Sequence, residues 1–128
     1  MKIKPTDGEL EILNILWKKG PCTVREIHEE VEKTKEAGYT TTLKLMQIML
    51  DKMMLTRDAS SKTHIYTAAI SQEQTQGQIV QRMIDTVFDG SAMQLVMQAL
   101  GNTRTTKDEL EQIKQYLDQM EQQQKDKS

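Results

Sequence analysis

Three times in 128 residues a Thr is followed three positions later by Glu just ahead of an apolar run: Thr6 with Glu9, Thr23 with Glu26, and Thr106 with Glu109. At that spacing the hydroxyl accepts a backbone N–H of the first helical turn, and the carboxylate reaches back to the capping N–H. Each pair therefore predicts a helix start. Ser71 with Gln74 is a fourth, weaker instance. Apolar residues then recur at steps of three and four. Leu10, Leu13, Leu16 and Trp17 form one stripe, ended by Gly20-Pro21, and Cys22 is left for a very short extended piece. Val24, Ile27 and Val31 form a narrow second stripe, with Glu29, Glu30, Glu32 and Lys33 outside. Ile79, Val80, Met83, Ile84, Val87 and Phe88 line a fourth helix that Gly90 breaks. A short fifth helix runs from Ser91 to Leu100 and stops at Gly101-Asn102; a last one, with Leu110, Ile113, Leu117 and Met120, fades into the polar tail QQQKDKS.

Between the second and fourth helices lies GYTTTLKLMQIMLDKMML, Gly38 to Leu55. Leu43, Met46, Met49, Leu50 and Met53 fall on one stripe, which leaves Thr41, Thr42, Lys44 and Gln47 pointing elsewhere. Thr40, Thr41 and Thr42 are β-branched and modest helix formers, so they are expected to cap this third helix with their hydroxyls outward. After Leu55 the helical period is lost. Thr56 to Ala69 predicts a hairpin turning at Ser60-Ser61, with Thr63, Ile65 and Thr67 alternating against His64 and Tyr66. Three helices followed by a two-stranded hairpin is the order of a winged helix-turn-helix, in which the third helix enters the major groove and the wing follows the backbone. Arg57 and Lys62 flank the wing turn, where cations and hydroxyls can meet phosphate oxygens.

One Phe and one Trp against nine Met leave a core of Leu, Ile, Val and Met, which favours helix packing over an aromatic-rich sandwich. No apolar run approaches the roughly 18 residues that would span a bilayer, and Met1 to Pro5 has no apolar signal core. A cytoplasmic protein without membrane insertion is expected. Cys22 is the lone cysteine and is expected to be a small buried residue. His28 and His64 lie on different elements, so neither a metal site nor a cofactor is expected, and no phosphate loop or matched nucleophile and base points to catalysis. Residues 1–70 hold 11 Lys and Arg against 10 Asp and Glu, net +1, and residues 71–128 hold 6 against 9, net −3. Any anion-binding face therefore belongs to the first part, with little nonspecific affinity to spare.

GPCTVREIHEEV, then YTTTLKLMQIML, then Lys62 and Tyr66 in the wing, then FDGSAMQLVMQAL closely resemble the penicillinase repressor family of bacterial transcription regulators, over nearly the whole chain. The resemblance implies a mainly α protein with a winged helix-turn-helix at residues 1–70 and a three-helix dimerisation domain at 71–128. It also implies a homodimer that represses from an inverted-repeat operator in double-stranded DNA. Carried over residue by residue, Thr40, Thr41 and Thr42 at the helix entry, Lys44 and Gln47 on the next outward turn, and Arg57 and Lys62 in the wing are the DNA-binding set. Ile84, Val87, Phe88, Leu95, Val96, Leu100, Ile113 and Leu117 are the dimerisation set, because these stripes exceed what some 58 residues can bury alone. In the antibiotic-responsive branch a membrane-anchored sensor zinc peptidase leads to cutting of the repressor at an Asn-Phe bond in the fifth helix. Gln98-Ala99 aligns with that bond, and both residues differ from it. Copper-responsive relatives carry clustered cysteines near the C-terminus, which are absent here.

Two departures from the family pattern bear on the wing. Met53 stands where relatives usually have a glycine closing the third helix, and Ala68 replaces a proline common at the wing's end. If position 53 keeps a left-handed conformation, Met there costs on the order of 1 kcal/mol. The alternative to a repressor is a winged-helix protein-interaction module without specific DNA binding, for which the small net charge of residues 1–70 is the support.

Overall fold

The computed structural model describes residues 4–127. The elements follow in the order α1 (Asp7–Lys19), α2 (Val24–Glu32), α3 (Tyr39–Asp51), β1 (Leu55–Asp58), β2 (Ile65–Ala68), α4 (Gln72–Thr86), α5 (Ala92–Asn102) and α6 (Lys107–Lys127). The protein is mainly α with one two-stranded antiparallel sheet, consistent with a winged helix-turn-helix followed by three helices. Of the Met1 to Pro5 start, residues 1–3 lie outside the described residues. The chain divides into two compact units, Met1–Gln81 and Arg82–Ser128, so the break falls inside α4.

The capping boxes form as their spacing requires. Glu9 N donates to Thr6 Oγ1 at 3.2 Å and Thr6 N to Glu9 Oε1 at 2.8 Å. Thr23 with Glu26 and Thr106 with Glu109 repeat the arrangement. At the first box the carboxylate is itself buried and meets Lys52 Nζ, just beyond α3, at 2.9 Å. Burial alone would push the Glu9 carboxyl up, but the Thr6 amide and the Lys52 ammonium together hold it below the ordinary value. One side chain thus caps α1 and ties it to the end of α3. Gly20, at φ 85, ends α1 in a conformation that a Cβ would oppose.

The core of the first unit joins Ile12, Leu13 and Leu16 of α1, Val24, Ile27 and Val31 of α2, and Met46 and Met49 of α3 to Met54, Leu55, Tyr66 and Cys22. Each fully buried Met contributes roughly 1.5–3 kcal/mol relative to exposure. Ile12 therefore belongs to the inner stripe of α1, whereas Leu10 and Trp17 sit at its margin. Trp17 Nε1 donates to Ile70 O at 3.0 Å, anchoring the segment that leads out of the wing. The wing pairs Leu55 with Ala68, Thr56 with Thr67, Arg57 with Tyr66 and Asp58 with Ile65. Tyr66 also exchanges both backbone hydrogen bonds with Cys22, so the short extended piece before α2 adds a bridge at the sheet edge. Thr63 and His64 fall in the turn, not in the strand, so the expected alternation begins only at Ile65.

Five sequence expectations need correction. The third helix is capped by Gly38 with no side-chain cap, and the threonines lie inside its first turns. Thr42 is turned inward, 3% exposed, because a polar partner, His28, awaits it there. Met53 leaves the stripe: it is 76% exposed at φ 67. Met53 N donates to Leu50 O at 3.1 Å and Met54 N to Met49 O at 2.9 Å, a Schellman closure that turns Met54 and Leu55 into the core. The fifth helix continues through Gly101 and Asn102, since the Asn102 amide bonds Gln98 O at 2.8 Å and relieves a terminal carbonyl. The last helix runs on to Lys127, its Gln- and Lys-rich tail being of good helix propensity.

Candidate nucleic-acid interface

The burial of Thr42, Met46 and Met49 fixes which way α3 faces. Thr40, Thr41, Lys44, Gln47 and Asp51 are exposed on the opposite side, as sequence periodicity requires for all but Asp51, which it did not single out. Ile48 joins them at 39% exposure, one turn beyond Lys44, an apolar side chain on an otherwise polar face. Its exposure was hidden in the sequence by neighbouring Met49 and Leu50, which resemble a continuous apolar run. In the wing, Arg57 is exposed on β1 and Lys62 in the turn. The Asp58 carboxylate accepts Ser60 N at 2.9 Å, and the Ser60 hydroxyl and amide hold it below the usual carboxylate range. The wing therefore presents one anion beside its two cations.

A second group of residues surrounds the entrance to α3. His28 is buried, its Nδ1 2.8 Å from Thr42 Oγ1 and its Nε2 paired with Glu32. A carboxylate only accepts, so Nε2 donates to it, while the hydroxyl of Thr42 can rotate to donate to or accept from Nδ1. Both ring nitrogens are thus satisfied. The Tyr39 ring meets His28 edge-on, with centroids 5.5 Å apart and planes at 82°. On Tyr39 in turn sits Arg25, its Cζ 5.9 Å from the ring centroid. Beside them opens a cleft of about 490 Å³, lined from α2 by Thr23, Val24 and Arg25, from α3 by Tyr39 and Leu43, and from the wing by Lys62 to His64 and Tyr66. Sequence reasoning missed Arg25, His28 and Tyr39. The one available signal is that His28 follows Ile27 on the inner stripe of α2, a position that buries whatever occupies it.

In α4 to α6 the pattern is reversed. From residue 76 to residue 127 no side chain is buried. Ile84, Phe88, Leu95, Leu100 and Ile113 are half-buried, Val96 and Leu117 are exposed, and Val87 is 67% exposed. Met93, Met97 and Tyr116, which the sequence stripes did not include, are exposed as well. Gln98 and Ala99 lie on the exposed side of α5, with both Gln98 oxygens accepting from Asn102. Among the described residues no three His, Cys, Asp or Glu side chains converge as ligands, and no helix is long and apolar enough to cross a membrane. Cys22 is buried, its Sγ 3.3 Å from Gly20 O, and burial pushes its thiol pKa up, away from reactive thiolate.

The family model described as penicillinase repressor matches residues 5–119. A penicillinase repressor of Staphylococcus aureus is 23% identical over 110 residues, covering 86% of this chain and 87% of the other. The methicillin resistance regulatory protein MecI of Staphylococcus aureus strain N315 is 22% identical over 112 residues, 88% and 91% of the two chains. A penicillinase repressor of Bacillus licheniformis is 20% identical over 114 residues, 89% of each.

Proposed function

Because the chain belongs to the penicillinase repressor family, whose members are transcriptional regulators and not enzymes, we propose that it represses transcription by binding an inverted-repeat operator as a homodimer. The observation that carries this is the outward face of α3. Thr40, Thr41, Lys44 and Gln47 are exposed there while Thr42, Met46 and Met49 hold the opposite face in the core. A helix so anchored can enter a major groove without disturbing its own packing. Residues 1–70 are the DNA-binding part in this account and residues 71–128 the dimerisation part, whose exposed apolar stripes call for a second copy. Thr42 supports the helix from inside and is not a DNA contact. The names of the relatives, penicillinase repressor and methicillin resistance regulatory protein, favour control of antibiotic-response genes; a membrane-anchored sensor peptidase as the upstream partner is what the family resemblance implies.

The net +1 of residues 1–70, together with the Asp58 carboxylate in the wing, favours the second reading, a winged protein-interaction module. Mobility shifts at rising salt separate the two. The probes are a duplex selected by the protein from a random-sequence pool and a scrambled duplex. A repressor loses affinity linearly on a log-log scale of salt and prefers the selected duplex. Lys44→Ala should then cost roughly 1–3 kcal/mol on the selected duplex and blur discrimination at one base pair, whereas Arg57→Ala weakens both duplexes alike. Salt-independent or absent binding would leave the interaction module.

A further inference from the structure

We infer that the cleft between the start of α2, the start of α3 and the wing seats one backbone phosphate of the bound DNA, with Arg25 and Lys62 as its cations and Tyr39 positioning Arg25. The inference rests on the DNA-binding reading above and adds a site to it. The cleft, about 490 Å³ and open along one side, has no Asp or Glu in its lining although the chain as a whole carries a net charge of −2. The residues that line it instead suit an oxyanion, since Arg25 and Lys62 bring cations and Thr23 and Thr63 bring hydroxyls. Glu26, the acid nearest in sequence to Arg25, is committed to the Thr23 cap at 2.9 Å. Being open, the cleft fits a group carried on a continuous strand better than an enclosed small molecule. Tyr39 is also the first residue of α3, so the cleft runs directly into the face that bears Thr40 and Thr41.

Preorganisation is what separates this site from a casual pair of surface cations. An Arg free in solvent loses rotamer entropy on gripping a phosphate. Here the guanidinium lies over the Tyr39 ring, and His28 meets that ring edge-on, itself bonded through both ring nitrogens to Thr42 and Glu32. A guanidinium stacked on a ring keeps its edge N–H donors free, and its planar fork matches two phosphate oxygens. The chain of contacts from Arg25 to Thr42 thereby joins a backbone contact made by α2 to the buried side of the groove helix.

The test uses the full-length protein and the selected and scrambled duplexes. Arg25→Ala should lower the slope of log affinity against log salt by about 0.9 on both duplexes, since one neutralised phosphate is lost without any base contact. Tyr39→Leu should weaken binding roughly two- to five-fold by freeing Arg25, and Tyr39→Phe, which keeps the ring, should bind as the wild type does. Neutral methylphosphonate placed at successive backbone positions locates the seat: wild type loses affinity at one position at which Arg25→Ala loses no more. An unchanged salt slope for Arg25→Ala, or losses additive with methylphosphonate at every position, would overturn the phosphate seat while leaving the repressor intact. Failure of the wild type to bind any duplex at low salt would overturn the repressor reading, and the seat with it.

Discussion

A methionine at φ 67 pays a steric cost that a glycine avoids, because Cβ crowds the carbonyl that follows. Met53 recovers nothing through burial, being 76% exposed. We expect Met53→Gly to stabilise the protein by roughly 1 kcal/mol. The check is a urea titration in which the midpoint rises while the slope stays fixed; a lower midpoint would mean that the side chain makes a contact worth more than the strain. The backbone conformation here was legible in advance, since a Met where relatives usually carry glycine points to it, whereas the exposure of the side chain was not, because its spacing places it on the apolar stripe of α3. The His28 and Thr42 pair was not. Fourteen positions separate the two residues, they lie on different helices, and no spacing rule joins them. Thr42 therefore passed in the sequence for an outward hydroxyl beside Thr40 and Thr41. Its inward turn is decided by a buried imidazole that needs a partner, a demand that exists only once α2 and α3 pack.

Helix starts marked by a side-chain cap were readable to the residue, whereas the start of α3 at Gly38 and the ends of α5 and α6 were not, and the difference is physical. A start is announced by a side chain three positions from the group it bonds, as at Thr6, Thr23 and Thr106. Carbonyls at an end accept many partners, and at α5 the partner is the amide of Asn102, a residue whose type suggests a stop. The longer α5 bears on how repression would be relieved. Gln98-Ala99, the bond aligned with the cleavage site of antibiotic-responsive relatives, lies within the helix, and both Gln98 oxygens accept from Asn102. A protease must first open that turn, at a local unfolding cost. A pocket shaped for Phe would then meet Ala and forfeit about 2 kcal/mol of apolar contact. We expect the bond to resist a sensor peptidase of that specificity, so that induced cells contain full-length repressor. Mass spectrometry of the protein from such cells decides it: a fragment ending at Gln98 would refute the resistance.

On the scale of the molecule, the chain buries its apolar groups unevenly. The first unit closes a core around Met46 and Met49, both fully buried, whereas no side chain from residue 76 to residue 127 is buried among those described. Periodicity in the sequence displayed these stripes without saying what covers them, because one chain cannot supply its own partner. Three helices with Val87, Met93, Met97, Tyr116 and Leu117 in water would be marginal alone, since a segment of this size has too little interior to offset its conformational entropy. In the proposed homodimer a second copy would meet the need with the same residues on both sides, an isologous interface. Such an interface would also fix the separation of two groove helices, so that a palindromic operator is gripped twice and the second contact forms at high effective concentration. Leu95, half-buried on α5, is the place to break it. We expect Leu95→Asp to yield monomers by sedimentation and to retain the circular-dichroism signature of a folded winged unit. It should bind an isolated half-site as the wild type's single unit does, yet lose the tight complex on the full operator, because a charge left in an apolar interface opposes pairing without touching the DNA-contacting face. A Leu95→Asp protein that sediments as a dimer and holds the full operator with unchanged affinity would remove α5 from the interface.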